Sequence, residues 1–280
     1  MTAQLSHRPA AGPWPRVTLA GVAFDAVTEP QCVGWIMDQL AAGRGGWVIT
    51  PNLDHLRRAQ RDQEFRRWLL EEADLVVADG MPLVWASRLQ GTPLPERVAG
   101  SSLVSTLAQA AAGAGRSLFL LGGSPGAAQA AAEVLRSRYP GLIIAGTACP
   151  PIGFENDPQQ MDELRQMLKE AKPDIVYMAL GSPKQERLIR LLRGEQPGAW
   201  WLGVGISLSF LCGQVRRAPR WMQRVGLEWL HRLVQEPRRL ARRYLLDGIP
   251  FALYLLGGAA LQRGRRLKAR RREVSQPGAS

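Results

Sequence analysis

Cysteine and histidine are both scarce, with three of each in 280 residues. Cys32, Cys149 and Cys212 are odd in number, widely spaced and never in a CxxC pair. That spacing excludes a disulfide framework and a thiolate zinc site, and makes a reducing cytosol the expectation. His7, His55 and His231 are too scattered for a metal cluster, and His55 reads as a helix-surface residue. No DxD sequence occurs, so a metal held by paired aspartates beneath a diphosphate is not expected. Neither GxGxxG nor a Walker lysine followed by Ser or Thr is present, which weighs against dinucleotide-dependent redox chemistry and P-loop hydrolysis. The start has no apolar core of a secretory signal. Ile249–Leu261 is free of charge for only 13 residues. Spanning a bilayer takes about 20, so this run is expected to lie in the interface.

What the chain has in excess is positive charge, and the excess is local. The net charge is +12. Residues 1–212 carry 20 Lys and Arg against 20 Asp and Glu, whereas residues 213–280 carry 16 against 4. A neutral body therefore precedes a polycation, whose natural partners are phosphate groups on a membrane, a nucleic acid or a diphosphate substrate. No nucleic-acid recognition motif accompanies it, so nucleic acid is not an expected partner.

The body alternates between two patterns. Short β-rich runs predict buried strands at Trp47–Ile49, Leu75–Ala78, Leu118–Leu121, Leu142–Ala145, Ile175–Leu180 and Trp201–Val204. Helical spacing predicts helices over Glu64–Ala73, Leu103–Ala112, Ala127–Arg138 and Met161–Ala171. The expected fold is α/β and Rossmann-like, a mainly parallel sheet with helices on both faces and a helical, basic C-terminal appendage. The expected division is a catalytic core over 16–212, a membrane-associating appendage over 213–262 and a disordered basic tail over 263–280.

Polar and glycine residues follow five of the strands: Thr50-Pro51-Asn52, Asp79-Gly80, Gly122 to Gly126, Gly181 to Gln185, and Gly203 to Gly205. In open α/β sheets that edge is the ligand crevice. Gly122, Gly123 and Gly181 would let backbone approach a phosphate, although an ordinary strand-to-helix turn reads the same. Asp79 could serve as a general base, or cap the helix that starts near Pro82. Thr50, Asn52 and Gln185 could grip sugar hydroxyls, or serve their own turns. Arg97 could pair with a phosphate or stay solvated. Cys212 reads as a packed thiol, and Trp200, Trp201, Trp221 and Trp229 as core or interface bodies.

The runs TPNLDH, ADLVVADGMPLVWASRLQG, ERVAG, FLLGGSPG, LGSPKQE, GVGISLSFLCGQVRRAPRWM and GLEWLHRLVQEPRRLARRYL, in that order, resemble the WecG/TagA/CpsF family of bacterial glycosyltransferases over about residues 16–246. The resemblance implies an inverting, metal-independent transferase needing no cofactor. It would move an N-acetylmannosamine-type sugar from a UDP donor to a polyprenyl-diphosphate-linked sugar at the inner face of the plasma membrane, for a cell-surface polysaccharide or teichoic acid-type polymer. UDP-glucose or a UDP-uronic acid is the alternative donor, and the oligomeric state stays open. By position, Asp79 matches the catalytic base, Thr50, Asn52, Gln185 and Arg97 the polar pocket, and Arg232, Arg239 and Arg242 the arginines that close over the diphosphate. Ser102 and Ser209 stand where the family often has acidic residues.

Overall fold

The computed structural model describes residues 12–274; the start read above for a leader and residues 275–280 lie outside them. The chain opens with a two-stranded antiparallel hairpin, β1 (Arg16–Leu19) and β2 (Val22–Asp25). Its two-residue turn, Ala20-Gly21, has φ of +47° and +76°, the primed geometry that suits the twist of a hairpin. The sequence patterns above do not predict this hairpin.

The remaining strands are β3 (Gly46–Ile49), β4 (Leu75–Val76), β5 (Ser117–Gly122), β6 (Ile143–Ala148), β7 (Ile175–Ala179) and β8 (Trp200–Gly203). They form one parallel sheet in the order β4-β3-β8-β7-β5-β6. All six stand where β-rich runs predict them, within a few residues at either end. Helices cover the sheet in the order α1 (Glu29–Ala41), α2 (Leu53–Ala59), α3 (Gln63–Arg67), α4 (Met81–Gln90), α5 (Gly100–Gly113), α6 (Ala127–Arg138), α7 (Pro158–Ala171), α8 (Lys184–Leu192) and α9 (Ser207–Leu211). The run predicted as one helix over Glu64–Ala73 is α3 followed by a π-helical turn at Trp68–Glu72.

Both faces of the sheet are buried, which is why its strands read as continuous apolar runs. Alternate residues supply two separate cores. Trp47, Ile49, Phe119, Val176 and Trp201 face one, with Leu56, Phe65, Trp68 and α8. Val48, Leu75, Leu118, Tyr177 and Leu202 face the other, with α1, α5 and α6. Each large side chain buried this way contributes about 1.5–3 kcal/mol. The Tyr177 hydroxyl, deep in the second core, donates to the Val104 carbonyl at 3.1 Å, so its burial leaves no polar group unpaired.

The C-terminal third adds α10 (Arg220–Arg224), α11 (Glu228–Gln235), α12 (Pro237–Ala241) and α13 (Ile249–Val274). A π-helical turn at Arg242–Gly248 joins the last two. Together they make an unbroken helical run, Pro237–Lys268, of 32 residues, with an 18-residue window of mean hydropathy 1.5. By length and composition alone the helix is long enough to cross a membrane, although its charge-free stretch is shorter. It lies against α4, with Leu255 and Ala259 buried in the first core. Leu246, Leu253, Tyr254 and Leu261 are exposed on it. The basic run from residue 263, expected to be disordered, continues α13 as far as Val274.

Candidate active site

The carboxyl ends of β3, β4, β7 and β8 open into one cavity of about 610 Å³, roofed by the C-terminal helices. Thr50, Asn52, Asp79, Arg97, Gly181, Gln185, Arg232 and Arg239 all line it. Eight of the eleven residues singled out from the sequence thus share one chamber, although they span almost 190 positions.

Asp79 sits just past β4, with its backbone N–H bonded to the Pro51 carbonyl at 2.9 Å. It caps nothing. The N-cap of α4 is Gly80 and has no side-chain bond. One carboxylate oxygen of Asp79 accepts the Gly100 N–H at 3.4 Å. Burial pushes its pKa up to about 6, and Arg97 pulls it down against the nearby Glu228. A carboxylate so placed is ionised at neutral pH yet a usable proton acceptor. Gly100 matters to this arrangement, because a Cβ there would lie 3.0 Å from Thr50 Oγ1.

Asn52 and Gln185 both have structural duties. Asn52 caps α2, its Oδ1 accepting the N–H groups of Asp54 and His55 at 3.0 and 3.3 Å. The Asn52 side chain therefore presents its amide N–H₂ to the cavity, a donor for an oxygen. Gln185 is buried, donates to Glu186 at 2.9 Å and accepts the Gly205 N–H at 3.1 Å, which pins the loop after β8 to α8. Gly203 makes this contact possible, since a Cβ there would fall 2.5 Å from Gln185 Nε2.

Three expected site residues fall outside the cavity. Gly122 and Gly123 end β5 in positive-φ conformations, +92° and +91°. A Cβ on Gly122 would strike Leu180, and one on Gly123 would crowd Ala127. Their glycine is required for close packing, and α9 covers the turn: Ser124 Oγ lies 3.3 Å from Ser209 Oγ. The third is Arg242. Arg232, Arg239 and Arg242 share one helix face only if a helix runs unbroken through Pro237. The chain does break there, with Glu236 at φ −133°, and the π-helical turn that follows brings Arg243 to the cavity in place of Arg242. Arg243 also reaches Asp54 at 3.1 Å.

Other residues join the site that the sequence reading did not select. His55 is no surface residue: it lines the cavity, stacks on Phe65 and lies 3.9 Å from Glu186. Burial lowers its pKa while Glu186 opposes the shift. The signal was available in Asn52-x-x-His55, a capping-box spacing, and in Glu186 directly after Gln185. Trp229 meets Tyr244 edge to face on the cavity wall, while Trp221 is exposed and only Trp200 and Trp201 are core. Ser102 gives Arg217 a hydroxyl at 3.4 Å.

Charge ties the roof to the floor. Arg57 holds Asp247 at 2.9 Å beside the Arg243–Asp54 pair. Arg97 and Arg217 both hold Glu228, at 3.0 and 3.2 Å. The Nε atoms of Arg232 and Arg243 are buried without a partner, although Arg243 also reaches Asp54 through another guanidinium nitrogen. A buried N–H left without an acceptor is costly, so the chamber has capacity for an anion. Among the described residues no three His, Cys, Asp or Glu side chains gather as a metal site.

A parallel-sheet crevice with a buried carboxylate and unspent arginines defines an α/β enzyme. The family model described as "Glycosyl transferase WecG/TagA/CpsF family" matches residues 17–266, and the chain belongs to that family and is a glycosyltransferase. It is similar to the N-acetylglucosaminyldiphosphoundecaprenol N-acetyl-β-D-mannosaminyltransferase of Bacillus spizizenii, 31% identical over 203 residues, or 72% of this chain and 76% of that one.

Proposed function

We propose that this glycosyltransferase moves an N-acetylmannosamine-type sugar from a UDP donor to a polyprenyl-diphosphate-linked sugar, in the synthesis of a cell-surface polymer. The observation that carries the reading is the pairing, in one chamber, of Asp79 with buried arginine nitrogens that lack partners. Asp79 takes the proton from the acceptor hydroxyl as that oxygen attacks the anomeric carbon from the face opposite UDP. The bond to the diphosphate oxygen breaks, and Arg232, Arg239 and Arg243 stabilise the charge that leaves. Asn52 donates to a sugar oxygen and Thr50 orients the same ring, which supplies proximity. The printed activity of the Bacillus relative supports this choice of sugar and of lipid carrier.

In this reading the core over 16–212 supplies the base and the appendage over 213–262 supplies the anion site and the membrane contact. The appendage lies on the inner leaflet. Its exposed leucines enter the interface and its arginines meet anionic headgroups, at about 1 kcal/mol per cation near the surface. α13 cannot leave α4 for the bilayer without exposing Leu255 and Ala259, which favours lying flat over spanning.

The test is a screen of UDP-sugars against a short-chain lipid-diphosphate acceptor, with mass spectrometry of the product. UDP-N-acetylmannosamine should extend the acceptor by one sugar. Extension by a different sugar alone would replace the donor assignment, and no extension by any donor would overturn the reading.

A further inference from the structure

We infer that Glu228 is a positioning residue: shared between Arg97 and Arg217, it latches the appendage over Asp79 and delivers Arg232 into the cavity. The inference rests on the reading of Asp79 as the base.

Glu228 opens α11, and its two oxygens are divided between two cations that approach from different places. Arg97, 131 positions earlier, stands in the loop before α5, next to the Asp79 crevice. Arg217 stands near the start of the appendage, between α9 and α10, and also reaches Ser102 on α5. All three side chains of this clasp are largely buried, at 16%, 17% and 24% exposure for Arg97, Glu228 and Arg217. Glu228 therefore fixes the start of α11 to the core floor at a point where water screens the pair poorly.

The helix does the rest. Arg232 lies four residues beyond Glu228 and so on the same face of α11. With Glu228 held by the floor, Arg232 is turned into the chamber, where its Nε is buried without a partner. Glu228 also speaks to Asp79 through charge. The charged groups facing Asp79 are Arg97 from its own side of the crevice, Glu228 from α11 and Arg217 from the segment before α10. Asp54, His55, Glu186, Arg232, Arg239 and Arg243 line the rest of the cavity. A carboxylate beside Asp79 holds its proton on, and the two arginines help to release it.

The clasp thus has two consequences that separate on mutation. In the full-length protein Glu228→Gln removes the charge shared by both arms and Arg217→Gln removes one arm, and both should expose the stretch 213–236 to limited proteolysis. Misplacing Arg232 should lower turnover on the order of 10²-fold, with Glu228→Asp recovering part of it. The acid limb of the pH–rate profile should move in opposite directions: to lower pH in Glu228→Gln, and to higher pH in Arg217→Gln. A carboxyl-carbon NMR titration of Asp79 reads the same displacements without turnover. Normal proteolysis in both variants, or acid limbs that stay put or move the same way, would overturn the inference. Should the wild type use no sugar donor, the proposed function falls, while proteolysis and the titration still decide the clasp. Melting curves identify any variant that fails to fold, and Arg217→Gln, outside α11, then stands in for Glu228→Gln.

Discussion

The core and the appendage solve opposite problems with different forces. The core buries Trp47, Trp201, Phe119 and Tyr177 between two layers of helix. The appendage leaves Trp221, Val234, Leu246 and Leu253 exposed, and is tied down by the clasps at Glu228 and at Asp247 together with the Leu255–Ala259 contact. Hydrophobic burial is worth on the order of 100 kcal/mol across a domain, whereas an ion pair is worth about 1 kcal/mol when exposed and costs about 3–5 to break when buried. Folding is therefore vested in the sheet, and assembly of the active site in a few charges that can part. In the proposed function, this division suits arginines that close over a substrate and reopen.

The largest effect should come from removing the appendage. Truncation after about Gly213 deletes Glu228, Arg232, Arg239 and Arg243 from the cavity wall and the whole exposed apolar helix. The remaining core should keep its sheet by circular dichroism, lose binding to anionic liposomes and show no turnover. A tailless core with full activity on a water-soluble acceptor would reduce the appendage to an anchor and break the comparison.

Next is Asp79→Asn, which keeps shape but cannot accept a proton. Turnover should fall by about 10² to 10⁴, while UDP binding persists in calorimetry. Stability should move the other way. Asp79 binds its proton more tightly folded than unfolded, so the carboxylate costs stability, and that cost grows as pH rises from its ordinary value of 3.8 through about 6. At neutral pH the asparagine variant should therefore melt above the wild type, by an amount equivalent to about 1–3 kcal/mol. The difference should vanish below about pH 4.

A matched pair sharpens the contrast at smaller scale. Trp201→Ala opens a cavity in the first core, where Trp201 is 1% exposed, and should cost about 3–5 kcal/mol in denaturant unfolding. Leu253→Ser, on the exposed face of α13, should change unfolding by less than about 0.5 kcal/mol and weaken liposome binding instead. Equal effects on unfolding would show that α13 belongs to the folding core.

How far this was legible in the sequence follows the same line. The strands were readable because a sheet buried on both faces prints a continuous apolar run, and the loop residues were readable because strand ends in such sheets face the ligand. The place of the Gly122 turn outside the cavity was not legible, because a glycine that admits a phosphate and one that admits Leu180 look alike in sequence. Arg243 displaced Arg242 because a π-helical turn shifts the register, and residue spacing assumes 3.6 per turn. Glu228 became visible only when distant segments met, because one glutamate in an arginine-rich run carries no mark of its partners, whereas His55 was marked in sequence by its capping-box spacing from Asn52. The hairpin was missed because strands of four residues are too short to show a period.

The smallest expected effect is that of a chelator, and it is the sharpest test of what the arginines do. A departing diphosphate must have its charge met, by a divalent cation or by fixed protein groups. Each carboxylate of the chamber has at least one oxygen engaged: Asp54 with Arg57 and Arg243, Glu228 with Arg97 and Arg217, Glu186 with Gln185, and Asp79 with the Gly100 N–H, while Glu186 Oε2 has no partner. Beyond that one oxygen a cation would have to break these contacts to gain ligands, and it would meet Arg232 and Arg243 at the place proposed for the phosphate. Hard divalent ions need several free oxygens in an electronegative setting. Turnover should therefore be unchanged by excess EDTA, and should fall steeply when Arg232 is replaced by alanine. A strict requirement for Mg²⁺ or Mn²⁺, restored on adding the ion back, would move the charge of the leaving group off the appendage, and with it the reason for the appendage to close over the core.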